Sequence, residues 1–349
     1  MVSDPPLLLP EQKPSSKVEQ FRNLLKQPTI FQLPGVYDCI SAKICEQVGF
    51  QAIYTSGLSI SATKLGVADI GLMSASENLE VVKHIVSSVN IPVVADCDTG
   101  YGDCNNVYRL TRDAIQVGVA AICLEDQQWP KRCGHFTGQQ VISCEEHVSK
   151  IRAAVEASKD YAFENGNEQV GDRDHSICIV GRTDARNPLG LNEAIRRARE
   201  YYDAGAEMVF VEAPKSMDEL KTISHALDGI PVLVNFIEGG HTPIENVQQL
   251  DELGFRAVMY STSGLLASMK SLFNIYETIR DCGTTKPMRE SNQMCSFGKY
   301  QEMVGLTRFM ERKQRLEASI EPNTEDPYHK RSGKRVQFST STFEISDDK

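Results

Sequence analysis

The sequence lacks several features that would each set its class. It has no apolar run near the roughly 18 residues needed to cross a bilayer, so no membrane-spanning helix is expected. It has no basic excess: 37 Lys and Arg stand against 47 Asp and Glu, a formal net charge of −10. That balance argues against nucleic acid or an anionic membrane as main partner, while leaving room for a small anionic ligand bound locally. The ten cysteines include no CxxC pair and are spread through strand-like and helix-like runs. This is the usage of reduced thiols inside a cell, most of them small core residues. The opening MVSDPPLLLPEQKPSS lacks the charged-then-apolar order of a secretory signal and reads as a flexible arm over residues 1–17. A cytoplasmic location is expected, with mitochondrial import left open by so short and ambiguous an arm.

What is present is a chain of 349 residues, 41% hydrophobic and 24% charged, enough for one large core or two ordinary ones. One phrase recurs: a helical stretch ends at glycine and an apolar strand begins a few residues later, as in CEQVGFQAIYTSG, AIQVGVAAICLED, YYDAGAEMVFVEA and DELGFRAVMYSTS. Glycine allows a left-handed helix cap, and an unbroken apolar run suits a strand buried on both faces. FQLPGVYD, IPVVADCD, SICIVGRTD and IPVLVNFIE supply four more β-rich runs, with helix-like segments such as NEAIRRAREYYDAG between them. Eight βα units in about 250 residues predict an α/β fold, a (β/α)8 barrel of the TIM type, within residues 18–317; a doubly wound open sheet shares the pattern. Residues 156–176 read as a polar, aperiodic loop before the fifth strand, and 318–349 as a disordered tail. SFGKYQEMVGLTRFMERKQRLE reads as helix outside the barrel count, suited to packing on a neighbouring subunit.

Polar residues gather at the strand ends: Asp38, Ser56, Asp96, Asp98, Glu125, Asp126, Arg182, Asp184, Glu212, Asn235, Glu238 and Ser261. Barrels place their chemistry on that rim, so the alignment predicts an enzyme. In ADCDTGYG, Asp96 and Asp98 are two apart and project to one side, where a hard divalent cation would relieve their repulsion. Asp69 and Glu125 could complete an oxygen shell with water, suited to Mg²⁺ or Mn²⁺; a turn capped by Asp98 accounts for the same residues. Cys133, in KRCGH, has Lys131, Arg132, Gly134 and His135 beside it: a reactive thiol on a mobile loop, or an ordinary surface cysteine among charges. Arg182, in VGRTDA, would clamp a carboxylate or sit in a buried ion pair with Glu212 or Asp184. IEGGHTP lacks the spacing of a Walker phosphate loop, and Met208 and the Leu265–Leu266 pair read as core.

DCDTGYG, LEDQ..PKRCGH and GRTDA, in that order on successive strands, resemble the isocitrate lyase and phosphoenolpyruvate mutase superfamily, over about residues 20–315. The resemblance implies a barrel whose eighth helix is exchanged with a neighbouring subunit, a homotetramer built as a dimer of dimers, and Mg²⁺ holding a 2-oxo or 2-hydroxy acid. It implies Asp96 as the direct metal ligand, with Asp69, Asp98 and Glu125 holding metal-bound waters. Tyr54, Ser56, Gly57 and Leu58 would cradle the substrate carboxylate, and Arg182 would bind the reacting oxygens with Glu212 and Asn235 as partners. Cys133 would be the general acid on a gating loop whose Lys131, Arg132, Gly134 and His135 also face substrate.

The phosphonate-forming mutases of the superfamily lack the KRCGH phrase, because moving a phosphoryl group needs no thiol proton donor. The implied reaction is therefore carbon–carbon cleavage: cation and Arg182 stabilise enolate-like charge, Cys133 protonates the departing carbanion, and loop closure excludes water. Three departures bear on substrate. Cys97 stands between the two acids where alanine is usual, and His241 stands where many relatives have lysine. Ser261 and Leu266, in YSTSGLL, stand where methylisocitrate lyases carry proline and arginine. Losing that arginine removes a clamp for an extra carboxylate, so a C4 to C6 dicarboxylate is expected; Ser261 resembles the oxaloacetate-hydrolysing branch, and dimethylmalate-type lyases share most of the site. P–C chemistry on a phosphonate, and a barrel that binds without turnover, are the competing expectations.

Overall fold

The eight apolar runs form eight parallel strands: β1 (Phe31–Val36), β2 (Ile53–Thr55), β3 (Val93–Asp96), β4 (Ala121–Glu125), β5 (Cys178–Thr183), β6 (Met208–Val211), β7 (Val232–Asn235) and β8 (Ala257–Tyr260). Neighbours in sequence are neighbours in space, and β8 pairs with β1 from Phe31↔Ala257 to Pro34↔Tyr260, closing the sheet. Closure leaves no edge strand and decides for the barrel over an open sheet. These coordinates come from a computed structural model that describes residues 15–134, 138–166, 176–240, 242–243 and 246–318. Most of the N-terminal arm, His135, His241 and all but the first residue of the expected tail lie outside the described residues.

Helix α1 (Lys17–Lys26) plugs the bottom of the barrel with Phe21, Leu24 and Leu25. The strands are then followed by α2 (Cys39–Val48), α3 (Gly57–Ile60) running into a π-helical turn (Ser61–Leu65), α4 (Ala75–Ser88), α5 (Cys104–Val117) and α6 (Cys144–Glu164). Next come α7 (Arg186–Leu189), α8 (Leu191–Asp203), α9 (Met217–Ala226), α10 (Val247–Glu252), α11 (Ser263–Cys282) and α12 (Lys286–Glu290). By compactness the chain divides after Ser291, and the second unit, taken by itself, holds α13 (Phe297–Met303) and α14 (Leu306–Ala318). The recurring glycines do close helices: Gly49 and Gly118 cap α2 and α5 with φ of 104° and 89°.

Strand alternation sorts the core into two shells. Val94, Cys123, Val180, Phe210, Leu233 and Met259 fill the barrel, whereas Val93, Ala95, Ile122 and Leu124 face the helices. Continuing the inward set by two residues reaches Asp96, Glu125, Arg182, Glu212, Asn235 and Ser261, which therefore converge on the C-terminal mouth.

Several expectations are corrected. Helix α6 continues to Glu164, so the first part of the predicted 156–176 loop is helical, with Ala157, Ser158 and Ala162 buried. Its charges masked the periodicity because they are spent on α5: Tyr108 Oη donates to Asp160 (2.7 Å) and Arg112 to Glu164 (3.0 Å). Leu266 is 42% exposed, while Leu265 beside it is buried. Asp38 contributes to no site; it N-caps α2 in a capping box with Ser41. All ten cysteines are free thiols, with five of them buried. Among the described residues no helix is long and apolar enough to cross a membrane.

Candidate active site

The mouth holds a cavity of about 400 Å³, counted to its opening, lined by Tyr54, Ser56, Leu58, Asp69, Asp96, Lys131, Cys133, Gly134, Arg182, Glu212, Asn235 and Ser261, with Ile237 and Met259 as its apolar side. Gly57 lies behind this wall: its N–H donates to Asp96 Oδ2 (3.2 Å), and a Cβ there would stand 2.8 Å from that oxygen. The glycine lets the backbone approach the acid. Asn235 and Ser261 are paired with each other, the Ser261 hydroxyl donating to Asn235 Oδ1 at 3.0 Å.

The four predicted acids are buried together. Asp96 ends β3; burial first, and the Asp98 charge second, push its carboxyl up to about 6. Asp98 sits in the left-handed region at φ 48°, and its N–H donates to Asp96 Oδ1 at 3.2 Å, so the turn is there but the carboxylate that caps it is Asp96 and not Asp98. Glu125 is pushed well above the ordinary carboxylate range, chiefly by burial, and its Oε1 has no hydrogen-bond partner. The Lys131 ammonium stands 2.6 Å from Asp69 Oδ1 and 2.7 Å from Asp98 Oδ1, supplying positive charge to the acids that were expected to share a cation. Lys131, expected to face substrate, is thus engaged with these acids although it lines the cavity. Among the described residues no three acid, imidazole or thiol groups come close enough to chelate an ion directly. The donor set, all carboxylate with the Glu125 oxygen orphaned, fits a hard cation held mainly through water.

Arg182 crosses the mouth. Its Nε and Nη2 donate to the two oxygens of Asp184, both at 2.9 Å, while Nη1 lies 3.3 Å from Glu125 and Nη2 3.3 Å from Glu212. The ion-pair reading of this residue holds, and the same side chain lines the cavity. Burial pushes Asp184 up to about 6, although the Arg182 charge opposes the shift. Asp126 is turned away from the cavity and holds the end of β5 from outside, accepting from the Asp184 N–H (2.8 Å), Thr183 Oγ1 (2.7 Å), Arg197 (3.0 Å) and Tyr201 Oη (2.7 Å).

Residues 131–134 are folded over the mouth. Cys133 is 7% exposed, its N–H donates to the Asp69 carbonyl (3.1 Å), and its side chain lines the cavity. Gly134 presses on the clamp so closely that a Cβ would lie 2.5 Å from Glu212 Cγ and 2.7 Å from Arg182 Nη2. Arg132 does not join this site; it is exposed and lines a separate outer hollow with Gln128, Trp129 and Gln140. Two side chains that hold the loop were missed. Gln127 and Gln139 donate to its backbone, Gln139 to the carbonyls of Cys133 (3.1 Å) and Gly134 (2.8 Å). An uncharged amide in a loop carries no sequence signal of burial; Asp184, two residues beyond Arg182 at the rim, did.

The family model for phosphoenolpyruvate phosphomutase matches residues 21–280. The chain is 41% identical to the petal death protein of Dianthus caryophyllus over 80% of this chain and 83% of that one. It is 38% identical to the chloroplastic carboxyvinyl-carboxyphosphonate phosphorylmutase of Arabidopsis thaliana (85% and 84%) and 34% identical to the 2,3-dimethylmalate lyase of Eubacterium barkeri (84% and 95%). Among solved structures, oxaloacetate acetylhydrolase with 3,3-difluorooxalacetate superposes with a TM-score of 0.78 at 30% identity, covering 86% of this chain and 97% of that one. Phosphonopyruvate hydrolase with oxalate and Mg²⁺ gives 0.73 at 26%, covering 87% and 99%.

Proposed function

Because the chain belongs to the phosphoenolpyruvate phosphomutase family, within the isocitrate lyase superfamily, we propose that it is a divalent-metal-dependent enzyme that cleaves a carbon–carbon bond in a small 2-oxo or 2-hydroxy dicarboxylate. The observation that carries the reading is the loop: Cys133 and Gly134 lie over Arg182 at the same mouth as Asp96. A family member built only to move a phosphoryl group has no use for a thiol delivered there.

Asp96, with Asp69, Asp98 and Glu125 through water, would hold Mg²⁺ or Mn²⁺, which would supply positive charge that steadies the 2-oxygen as it loses its proton. Arg182, aimed by Asp184, offers a second fixed cation to the substrate oxygens at no reorganisation cost. As the C2–C3 bond breaks, the 2-hydroxyl of the substrate, or of the hydrated 2-oxo acid, gives its proton to the Glu212 carboxylate and closes to C=O, the C2–C3 electron pair goes to the departing carbon, and the Cys133 thiol gives that carbon its proton. Burial of the thiol under the closed loop keeps water from doing so first. Lys131 and Arg182 are the only cations among the described residues that line the cavity, and Leu58, Ile237 and Met259 supply an apolar wall; this suits two carboxylates rather than three. The Ser261–Asn235 pair favours a hydrated 2-oxo group, hence oxaloacetate hydrolysis, over the bulkier acids. The apolar stripe Leu266, Met269, Phe273, Tyr276 and Ile279 on α11, each over 40% exposed, supports a homo-oligomer.

The test is parallel incubation of the purified protein and Mg²⁺ with oxaloacetate, 2,3-dimethylmalate, methylisocitrate and phosphonopyruvate. Oxalate plus acetate identifies the hydrolase, and a 2-oxo acid plus a second carboxylate identifies the lyase. Cys133→Ser should lower either rate about 10²-fold or more. Turnover of phosphonopyruvate alone would select P–C chemistry, the reading favoured by two of the relatives, and a folded protein that turns over none of the four would refute both.

A further inference from the structure

We propose that Gln127 is a positioning residue whose amide latches the Cys133 loop shut against the Asp184–Arg182 clamp; the role in turnover rests on the function proposed above, the latch itself does not. Gln127 stands just past β4 on a fixed stem. It bridges Val141 in antiparallel pairing, the Gln128 N–H donates to the Gln140 carbonyl (2.8 Å), and the Ile142 N–H to the Asp126 carbonyl (2.9 Å). Both flanks of the loop are therefore anchored by backbone hydrogen bonds.

The Gln127 side chain spans that segment and the clamp. Its Nε2 donates to the Arg132 carbonyl (2.8 Å) and to Asp184 Oδ1 (3.0 Å), and its Oε1 accepts from the Arg132 N–H (3.0 Å). Both amide hydrogens and one oxygen lone pair are used, at a residue 1% exposed. The same Asp184 oxygen receives Arg182 Nη2. One carboxylate thus holds the substrate-facing cation and, through Gln127, the backbone immediately before the thiol. Gln127 reads the backbone of residue 132 and not its side chain, which is exposed on the outer surface. Opening the loop strips the amide of two partners while Gln127 stays in place, and unpaired buried amides are costly.

The experiment measures the alkylation rate of Cys133 by iodoacetamide, read peptide by peptide, in the full chain and in Gln127→Leu and Gln127→Glu. Cys97, Cys123 and Cys178, buried in the barrel, serve as internal controls for global opening. Both variants should raise the Cys133 rate about tenfold, the equivalent of about 1.4 kcal/mol, while the barrel thiols stay unreacted. Gln127→Glu keeps the shape but puts oxygens against the Arg132 carbonyl and Asp184, so its agreement with Gln127→Leu separates hydrogen bonding from space filling. Wild-type rates in both variants overturn the latch, as does opening in Gln127→Leu alone or Cys133 and barrel thiols reacting in step. kcat/KM on the active dicarboxylate should fall in parallel; if the wild type turns over no dicarboxylate while Cys133 is exposed as expected, the latch stands and the proposed function falls.

Discussion

Replacing Gly134 by alanine perturbs one state of the enzyme and leaves the others alone. The added methyl would sit 2.5 Å from Glu212 Cγ, 2.7 Å from Arg182 Nη2 and 2.9 Å from Asp184 Oδ1, all well inside van der Waals contact. Those atoms cannot yield independently, because Arg182 is bonded to both oxygens of Asp184 and lies beside Glu212. Gly134 is not among the residues at positive φ, so the cost of alanine is the side-chain contact and not backbone strain. The penalty falls on the closed state. Overpacking of this kind costs about 1–3 kcal/mol, which translates to a closed-to-open ratio about 5- to 150-fold smaller. Steady-state kinetics on the active dicarboxylate should show kcat/KM reduced by that factor, Cys133 alkylation accelerated, and the thermal midpoint nearly unchanged because the loop swings away while the barrel stays. An alanine variant with full kcat/KM and a Cys133 as protected as in the wild type would refute the closed geometry on which the mechanism depends.

Asp126→Asn should cost about 3 kcal/mol in urea unfolding, since one carboxylate receives four donors and an amide must leave at least one of them, the buried Arg197 among the candidates, facing an N–H. A loss under about 1 kcal/mol would show that the hub relaxes without strain. His147 is fully buried with its ring edge-on to Tyr201, and burial pushes its imidazole down to about 4. A base whose folded pKa lies below its unfolded value loses stability as pH falls, here through the window from about 6.5 to about 4, by about 2 kcal/mol between pH 7 and pH 5. Asp96 and Asp184, whose carboxyls are raised to about 6, act in the opposite sense, favouring the fold as pH falls through the same range. Comparing wild type with His147→Leu cancels them: the wild type should lose about 2 kcal/mol more than the variant on going from pH 7 to pH 5. Equal losses would mean that the imidazole is not held neutral.

Much of the fold was legible because a parallel barrel writes itself repetitively. Most strands are buried on both faces and so become apolar runs, and the helices before β2 and β4 end at Gly49 and Gly118, which have the left-handed geometry of a sharp stop. The candidate site was legible for the same reason, since the inward period of two carried Asp96, Glu125, Arg182, Glu212, Asn235 and Ser261 to one mouth. The misreadings have a common cause. The last turns of α6 looked like loop because their charges answer α5, and Arg132 looked like a substrate contact because its neighbours in sequence are; in both cases the deciding partner is distant along the chain.

What the sequence determined by itself was therefore which residues point inward and at which end of their strands they lie, since strand periodicity and helix stops are local properties of the backbone. Only the tertiary structure decided which inward groups meet: Lys131 with Asp69 and Asp98, Arg182 with Asp184, and Gln127 with both the loop and the clamp. Pairing around a closed barrel depends on register and loop course, which are set by the whole ring closing at once and leave no trace in any one segment.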